Sequence, residues 1–237
     1  VLSGRPPRIQ ITGRARAGKS TVRNALSLLT AEETAPLDAP DRPDPVLDAD
    51  LILYVLPGTL TSADRRVLER MPPDRTLVVL NKADAIGTRW SDAARAADRL
   101  AGTLGIQTLP AVASLAAHTR TGIVSDADLR TLHRHRARSD PAFLLTEDLF
   151  ADPAVAEDTP ARAALLERWG RYGVACALTA LRHDPALPSR SLLQMLHSAS
   201  GIDPIYRALH ERYQWAAAAI AAEELAIVPT RSGSGDE

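Results

Sequence analysis

Apolar positions in the first half of the chain come in short runs separated by amphipathic stretches, and the two kinds alternate. Arg8-Ile9-Gln10-Ile11-Thr12 alternates apolar and polar residues and predicts a first strand. Ser20 to Leu29 then carries Val22, Ala25, Leu26 and Leu29 at helical spacing. Asp50-Leu51-Ile52-Leu53-Tyr54-Val55-Leu56 is a continuous apolar run, the pattern of a strand buried on both faces, and Thr76-Leu77-Val78-Val79-Leu80 is another. Thr61 to Arg70 between them reads as helix. Ser91 to Leu104 is a further helix, with Ser91 as its expected cap, and Ile106 to Val112 a further strand. Strands alternating with helices predict an α/β fold with a doubly wound, mostly parallel sheet and ligand groups at the carboxyl ends of its strands.

After about Ala117 the pattern is helical throughout. Ser125 to Ala137 opens on the capping pattern Ser-x-x-Asp. A proline-punctuated stretch, Asp140 to Pro160, precedes helices over Pro160 to Arg182, Ser189 to His197 and Pro204 to Ile227. Thr159-Pro160 and Asp203-Pro204 each set a capping residue before a first-turn proline. Gly170, Gly173 and Ala177 fall on about one face, which predicts close approach of the Pro160 to Arg182 helix to the Pro204 to Ile227 helix. The expected organisation is a nucleotide-binding domain over 1–138, a helical bundle over 139–230 and a disordered tail over 231–237. No internal repeat is visible.

Composition narrows the class. Apolar content is 45% and charged content 24%, with a formal net charge of -1, so nothing favours a nucleic-acid partner or bulk attraction to an anionic membrane. One cysteine, Cys176, excludes a disulfide framework and suits a reducing, cytoplasmic setting, where it is expected to fill a core position. No apolar run reaches the length of a membrane span, and no signal peptide is visible. The chain begins at Val1 without methionine, so the translated start is expected to lie elsewhere. His133 and His135 lack the i, i+4 spacing of a metal pair and the other histidines are scattered, so no zinc site is expected. Trp90, Trp169 and Trp215 read as packing anchors.

The chemistry is marked by lysine. The chain has only two, Lys19 and Lys82, and meets every other need for positive charge with arginine. Arginine replaces lysine on a solvated surface but not where a compact ammonium must reach between phosphates. Lys19 lies in Gly13-Arg14-Ala15-Arg16-Ala17-Gly18-Lys19-Ser20, a complete phosphate-loop pattern G-x-x-x-x-G-K-[ST] between a predicted strand and a predicted helix. Gly13 and Gly18 let the backbone curl so that successive N–H groups, Ala17 among them, point at a phosphate, with the helix dipole behind them through Ser20 and Thr21. Lys19 bridges the terminal phosphates in such a loop, and the Ser20 hydroxyl ligates magnesium.

Lys82 lies in Asn81-Lys82-Ala83-Asp84, which resembles the guanine-specificity motif N-K-x-D of GTPases. The resemblance implies that Asp84 accepts two hydrogen bonds from guanine, that Lys82 lies over the base and that Asn81 ties this loop to the phosphate loop. Ala113-Ser114-Leu115 stands where GTPases carry a short S-A-[KL] loop, which would place Ser114 and Leu115 at the base. Leu37-Asp38-Ala39-Pro40-Asp41 resembles the D-x-P-G motif with Asp41 in the glycine's place, making Asp38 a candidate for holding magnesium-bound water. Arg42 follows where Ras-like enzymes carry a water-orienting glutamine. Arg16 matches the loop position at which guanylate-binding proteins supply an arginine in cis; otherwise Arg14 and Arg16 both point to solvent.

One part of the GTPase pattern is absent. A Ras-like chain has about twice the separation found here between the phosphate-loop lysine and the D-x-x-G aspartate. Only Thr30 to Leu37 covers the first switch loop and the strands beside it, and no alternating strand is evident there. Either the chain carries a genuine deletion or it is discontinuous between Leu29 and Leu37. Switch loops order only around a γ-phosphate, which favours the discontinuity. Thr34 is not assigned the role of the switch threonine.

The region from Arg8 to about Ala117 thus resembles P-loop GTPases. The remainder resembles actinobacterial dynamin-like GTPases through Leu115-Ala116-Ala117, Thr121-Gly122, Asp126-x-Asp128-Leu129, Leu165 to Val174 and Ser200-Gly201-Ile202. The resemblance implies GTP or GDP and Mg2+ as ligands and slow GTP hydrolysis, with Lys19 and Arg16 catalytic, in a switch-type or dynamin-like protein. Self-association or a protein partner would engage the helical region, and peripheral contact with the inner membrane face is compatible with it. The competing reading is a nucleotide-stabilised scaffold with weakened hydrolysis, its helical region binding a protein partner.

Overall fold

The computed structural model describes residues 4–39, 43–137, 150–154 and 157–227. Asp41 and Arg42, most of the proline-punctuated stretch and the 231–237 tail lie outside these residues. The alternating pattern folds as expected into strand β1 (Ile9–Thr12), helix α1 (Lys19–Ala25), β3 (Leu51–Pro57), α2 (Ser62–Leu68), β4 (Thr76–Asn81), α3 (Trp90–Leu104) and β5 (Thr108–Ala111). Between α1 and β3 runs a two-residue strand, β2 (Glu32–Glu33). The five strands are all parallel, in the order β2-β1-β3-β4-β5.

The expected break between Leu29 and Leu37 is not there. The chain passes without interruption from α1 into β2, with Gln10 opposite Glu32 and Ile11 opposite Glu33. Beyond it, Thr34 N donates to Ile11 O at 3.0 Å and Leu37 N to Gly13 O at 3.4 Å. The short connection places Glu32 and Glu33 directly beside the first strand. A strand this short carries no alternation signal, which is why the sequence pattern missed it. Thr34 is buried and its hydroxyl donates to Thr12 Oγ1 at 2.9 Å, so it serves packing.

Alternation sorts the strand residues into two layers. Leu51, Leu53 and Val55 with Leu77 and Val79 face one core, together with Ile11 and with Val22 and Ala25 of α1. Tyr54, Leu56, Val78 and Leu80 face the other, under Leu68 of α2 and Ala97 of α3. Helices α4 (Ala113–Thr121), α5 (Asp126–His135), α6 (Thr159–His183), α7 (Ser189–Ala199) and α8 (Ile202–Ile227) follow. The α/β sheet followed by an all-helical region is the fold class the pattern predicts. Among the described residues no helix is long and apolar enough to cross a membrane.

The helices do not pair as expected. Helix α6 packs on α4, α5 and α7, while α8 returns to β3, β4 and β5 and places Ile202, Ile205, Ala208 and Leu209 in the first sheet core. Gly173 does mark a close approach, but to α4: a Cβ there would lie 2.8 Å from Leu115 Cδ1. Gly170 instead interrupts α6 in a left-handed conformation (φ 63°) with open space beside it. Ala177 is buried in the helical core with Leu165, Trp169 and Leu181. The face of small residues was read on an ideal helix, and the kink at Gly170 rotates its first member off that face.

Capping was partly legible. Ser125 and Asp128 form the expected box, the Ser125 hydroxyl accepting from Asp128 N at 3.2 Å and Asp128 Oδ2 from Ser125 N at 2.9 Å. Ser91 is not a cap, because α3 begins one residue earlier and Asp92 accepts from Thr88 N and Arg89 N at 2.9 and 3.0 Å. Helix α8 likewise begins at Ile202, putting Asp203 inside its first turn. Thr159 is also inside its helix, behind Asp158. Trp169 is buried and Trp90 half-buried against Tyr172, but Trp215 is 79% exposed and anchors nothing. Cys176 is half-buried at the edge of the helical core, and burial pushes its thiol pKa up.

Asp158 is the polar knot of the helical region. Its carboxylate meets Arg134 at 2.7 Å, His135 at 3.0 Å and Arg162, itself wholly buried, at 2.8 Å. Burial pushes the carboxyl up, but His135, Arg134 and Arg162 together hold it below the ordinary aspartate value. A depressed folded-state pKa means that its stabilising contribution is complete above the ordinary aspartate range and is lost as pH falls through the lowered value. Asp158→Ala is expected to cost about 3 kcal/mol at neutral pH, since it removes the carboxylate facing a buried guanidinium. Urea denaturation should show that deficit and show it shrinking as pH drops below about 3.9.

Candidate functional site

The phosphate-loop sequence leaves β1 at the buried Thr12 and curls into α1, and its glycines are required by what surrounds them. Gly13 has φ 144°, and a Cβ there would lie 2.4 Å from Val55 O. Gly18 has φ 94°, and a Cβ there would lie 2.4 Å from the Asn81 amide nitrogen. Arg16 is also left-handed, with φ 58°, a conformation unfavourable for a side chain and found where surroundings impose it. Alternating backbone handedness of this kind turns consecutive N–H groups to one side and makes a concave anion site.

Two groups of the chain already answer to that field. Asp38, just beyond β2, accepts a hydrogen bond from Ala15 N at 2.7 Å. A carboxylate oxygen thus stands on a loop amide, where a phosphate oxygen is the ligand such a loop selects. Lys19 is 7% exposed, and its Nζ donates to Gly13 O at 3.2 Å and Arg14 O at 3.3 Å. Burial lowers the Lys19 pKa, while Glu33 and Asp38 pull it back up. A desolvated ammonium held by carbonyls of the loop, with no ion pair among the described residues, is poised for an anion.

Asn81, 4% exposed at the end of β4, joins this loop to the next. Its amide donates to Ala17 O at 2.9 Å, and its carbonyl accepts from Ala113 N, at the start of α4, at 3.1 Å. The tie from Asn81 to the phosphate loop is the one the motif implied. Lys82 follows in a left-handed conformation (φ 58°), and Asp84 lies in the short 3-10 turn Ala83–Ala85. Both side chains are exposed. Ser114 is exposed in the first turn of α4, whereas the Leu115 side chain is wholly buried in the helical core against Gly173. Only the Leu115 backbone remains available to a ligand.

The two loop arginines separate. Arg14 is not in solvent: its guanidinium pairs with Asp64 of α2 at 2.9 Å and donates to Thr59 O at 3.0 Å. Asp64 is wholly buried, accepts from Tyr54 Oη at 2.7 Å and completes the Thr61 cap. Arg16 is exposed and makes no hydrogen bond or ion pair among the described residues. Ser20 and Thr21 follow Lys19 in the first turn of α1, Thr21 half-buried. The Ser20 hydroxyl donates to Glu33 Oε1 at 2.9 Å, a partner that sequence reasoning did not find. Asp64 was legible in principle, since Thr-x-x-Asp at 61–64 is a capping pattern; Glu33 was not, because nothing in Glu32-Glu33 signals a strand.

Comparison with protein-family models and with curated proteins finds no match. Among solved structures the chain is similar to the cytosolic domain of the T. maritima FeoB iron transporter in its GMPPNP form. The identity is 14%, the alignment covers 92% of this chain and 99% of that one, and the TM-score is 0.30. A likeness at that level carries no inference about this chain.

The geometry makes Asn81 the tie between loops. Asn81→Ala leaves the buried Ala17 carbonyl and Ala113 N–H without their partner and is expected to cost about 1–3 kcal/mol. Thermal denaturation without added ligand measures it. A larger loss of affinity than of stability for any anion bound at Gly13–Ser20 is expected as well, because the loop loses its brace.

Proposed function

We propose that the chain binds a guanine nucleotide and hydrolyses GTP slowly. The observation that carries the reading is the Asn81 bridge, which sets the Lys82–Asp84 loop at a fixed distance from an anion-binding loop built on Gly13 and Gly18. Two loops braced in this way suit a ligand with a phosphate chain at one end and a base at the other. In this reading the Gly13–Ser20 amides and Lys19 hold the phosphates, Asp84 accepts from the base and Lys82 lies across it, with Ala113–Leu115 contributing backbone. Ser20 and Asp38 supply hard oxygens for Mg2+, which when bound neutralises charge on the terminal phosphates. Arg16, unpartnered within the loop, is the group available to meet transition-state charge.

The residues used for the dynamin-like resemblance have structural employment here. Asp128 caps α5 and pairs with Arg168, and Gly201 lets Trp90 and Pro110 O approach within 2.5 and 2.6 Å of its missing Cβ. The fold therefore adds no support to a dynamin-like mechanical role. The scaffold alternative, with the helical region binding a partner, is favoured by one feature: the direct passage from α1 to β2 leaves no length for a loop that senses the γ-phosphate.

Isothermal titration with the full chain is expected to show GDP and GTP bound far more tightly than ATP, and Asp84→Asn should shift preference towards xanthine nucleotides. Equal affinity for ATP would refute the guanine assignment. Single-turnover hydrolysis separates the two readings. Arg16→Ala is expected to slow hydrolysis on the order of a thousandfold with GDP affinity almost unchanged, whereas a scaffold hydrolyses GTP no faster than water does.

A further inference from the structure

Ser20 and Glu33 come together at the mouth of the phosphate loop from two elements that the shortened chain makes neighbours. Ser20 is the second residue of α1, and Glu33 ends β2, the strand reached after a connection of only 26–31. The position of Glu33 is set by backbone pairing, Ile11 opposite it and Thr34 N on Ile11 O at 3.0 Å, so its side chain is presented from the sheet rather than from a free loop. Its Oε1 accepts the Ser20 hydroxyl proton at 2.9 Å, and its Oε2 stands 4.0 Å from Arg23. It also acts on Lys19 electrostatically, as Asp38 does.

A serine hydroxyl has one hydrogen and two lone pairs. When that hydrogen is committed to a carboxylate, the hydroxyl rotor is fixed and a lone pair is left facing away from it. That is the orientation a serine must hold to give its oxygen to a divalent cation. A carboxylate hydrogen-bonded to a ligating group also makes that group more basic and adds negative charge beside the cation.

We infer that Glu33 is the positioning residue for the magnesium ion of this site. It orients Ser20 and supplies, from β2, the anionic support that the absent switch segment does not. The inference rests on the guanine-nucleotide reading. Because β2 is part of the sheet, this support is present whatever the length of the phosphate chain, so Mg2+ should assist GDP and GTP alike.

The test uses the full chain and a fluorescent GDP analogue, titrated at fixed Mg2+ concentrations and in EDTA. Glu33→Ala is expected to raise the Mg2+ concentration needed for half-maximal tightening by about 10–100-fold. In EDTA the same variant should bind GDP as well as the parent or better, since a carboxylate near the phosphates has gone. Glu33→Gln keeps the acceptor and the shape, so it should shift Mg2+ dependence less than Ala does, and it stands as the measurement if Ala fails to fold. An unchanged Mg2+ requirement in both variants overturns the role of Glu33, as does an equal loss of GDP affinity with and without Mg2+. A parent chain that binds no GDP under any condition overturns the guanine reading and this inference with it, an outcome distinct from the first two.

Discussion

The structure depends on one buried amide. Asn81 sits where β4 ends, and from that point its side chain reaches Ala17 in one loop and Ala113 in another. An amide suits this position because it is both donor and acceptor; a carboxylate would face the Ala17 carbonyl with no proton to give. Gly18 must lack a Cβ because the Asn81 nitrogen occupies the space. Two features that look independent in the sequence, a glycine and an asparagine 63 positions later, are one packing constraint.

Around that brace the loop is held by contacts to its side chains and backbone. Arg14 is drawn outward to Asp64, and Asp64 is fixed by Tyr54 and the Thr61 cap. Burial and the Asp64 carboxylate both push the Tyr54 pKa up, so the phenol remains a donor to Asp64. Asp38 accepts from one of the loop's amides, and Lys19 donates to two of its carbonyls. A loop with Arg16 in a left-handed conformation persists only when it is over-determined by contacts of this sort.

Most of the sheet could be read directly from the chain, because continuous apolar runs such as Leu51–Leu56 admit few alternatives in an α/β fold. The glycine turn at Gly13 and Gly18 was legible because neither position has room for a Cβ, and the Asn81 tie was legible through the motif it resembles. What escaped the sequence was whatever depended on distance in three dimensions. The partner of α6 was misjudged because small residues announce close approach but not to which helix. Trp215 looked like an anchor by type, yet its helix turns it outward. Glu33 gave no signal because two residues cannot show a period, and its place beside Ile11 is seen only where β2 pairs with β1.

Helix α8 lies last among the described elements yet covers the face of the first strands, with Ile202, Ile205 and Leu209 seated among Ile11, Leu51 and Leu77. Near its end Glu224 meets the backbone of Arg5 at 3.2 Å. The contacts that cover the sheet are therefore among the most distant in sequence between described residues. During synthesis the strands can pair early, but one side of them stays uncovered until α8 has been made. Such a chain completes its core late, with one apolar face of the sheet open to chaperones or to aggregation until that moment.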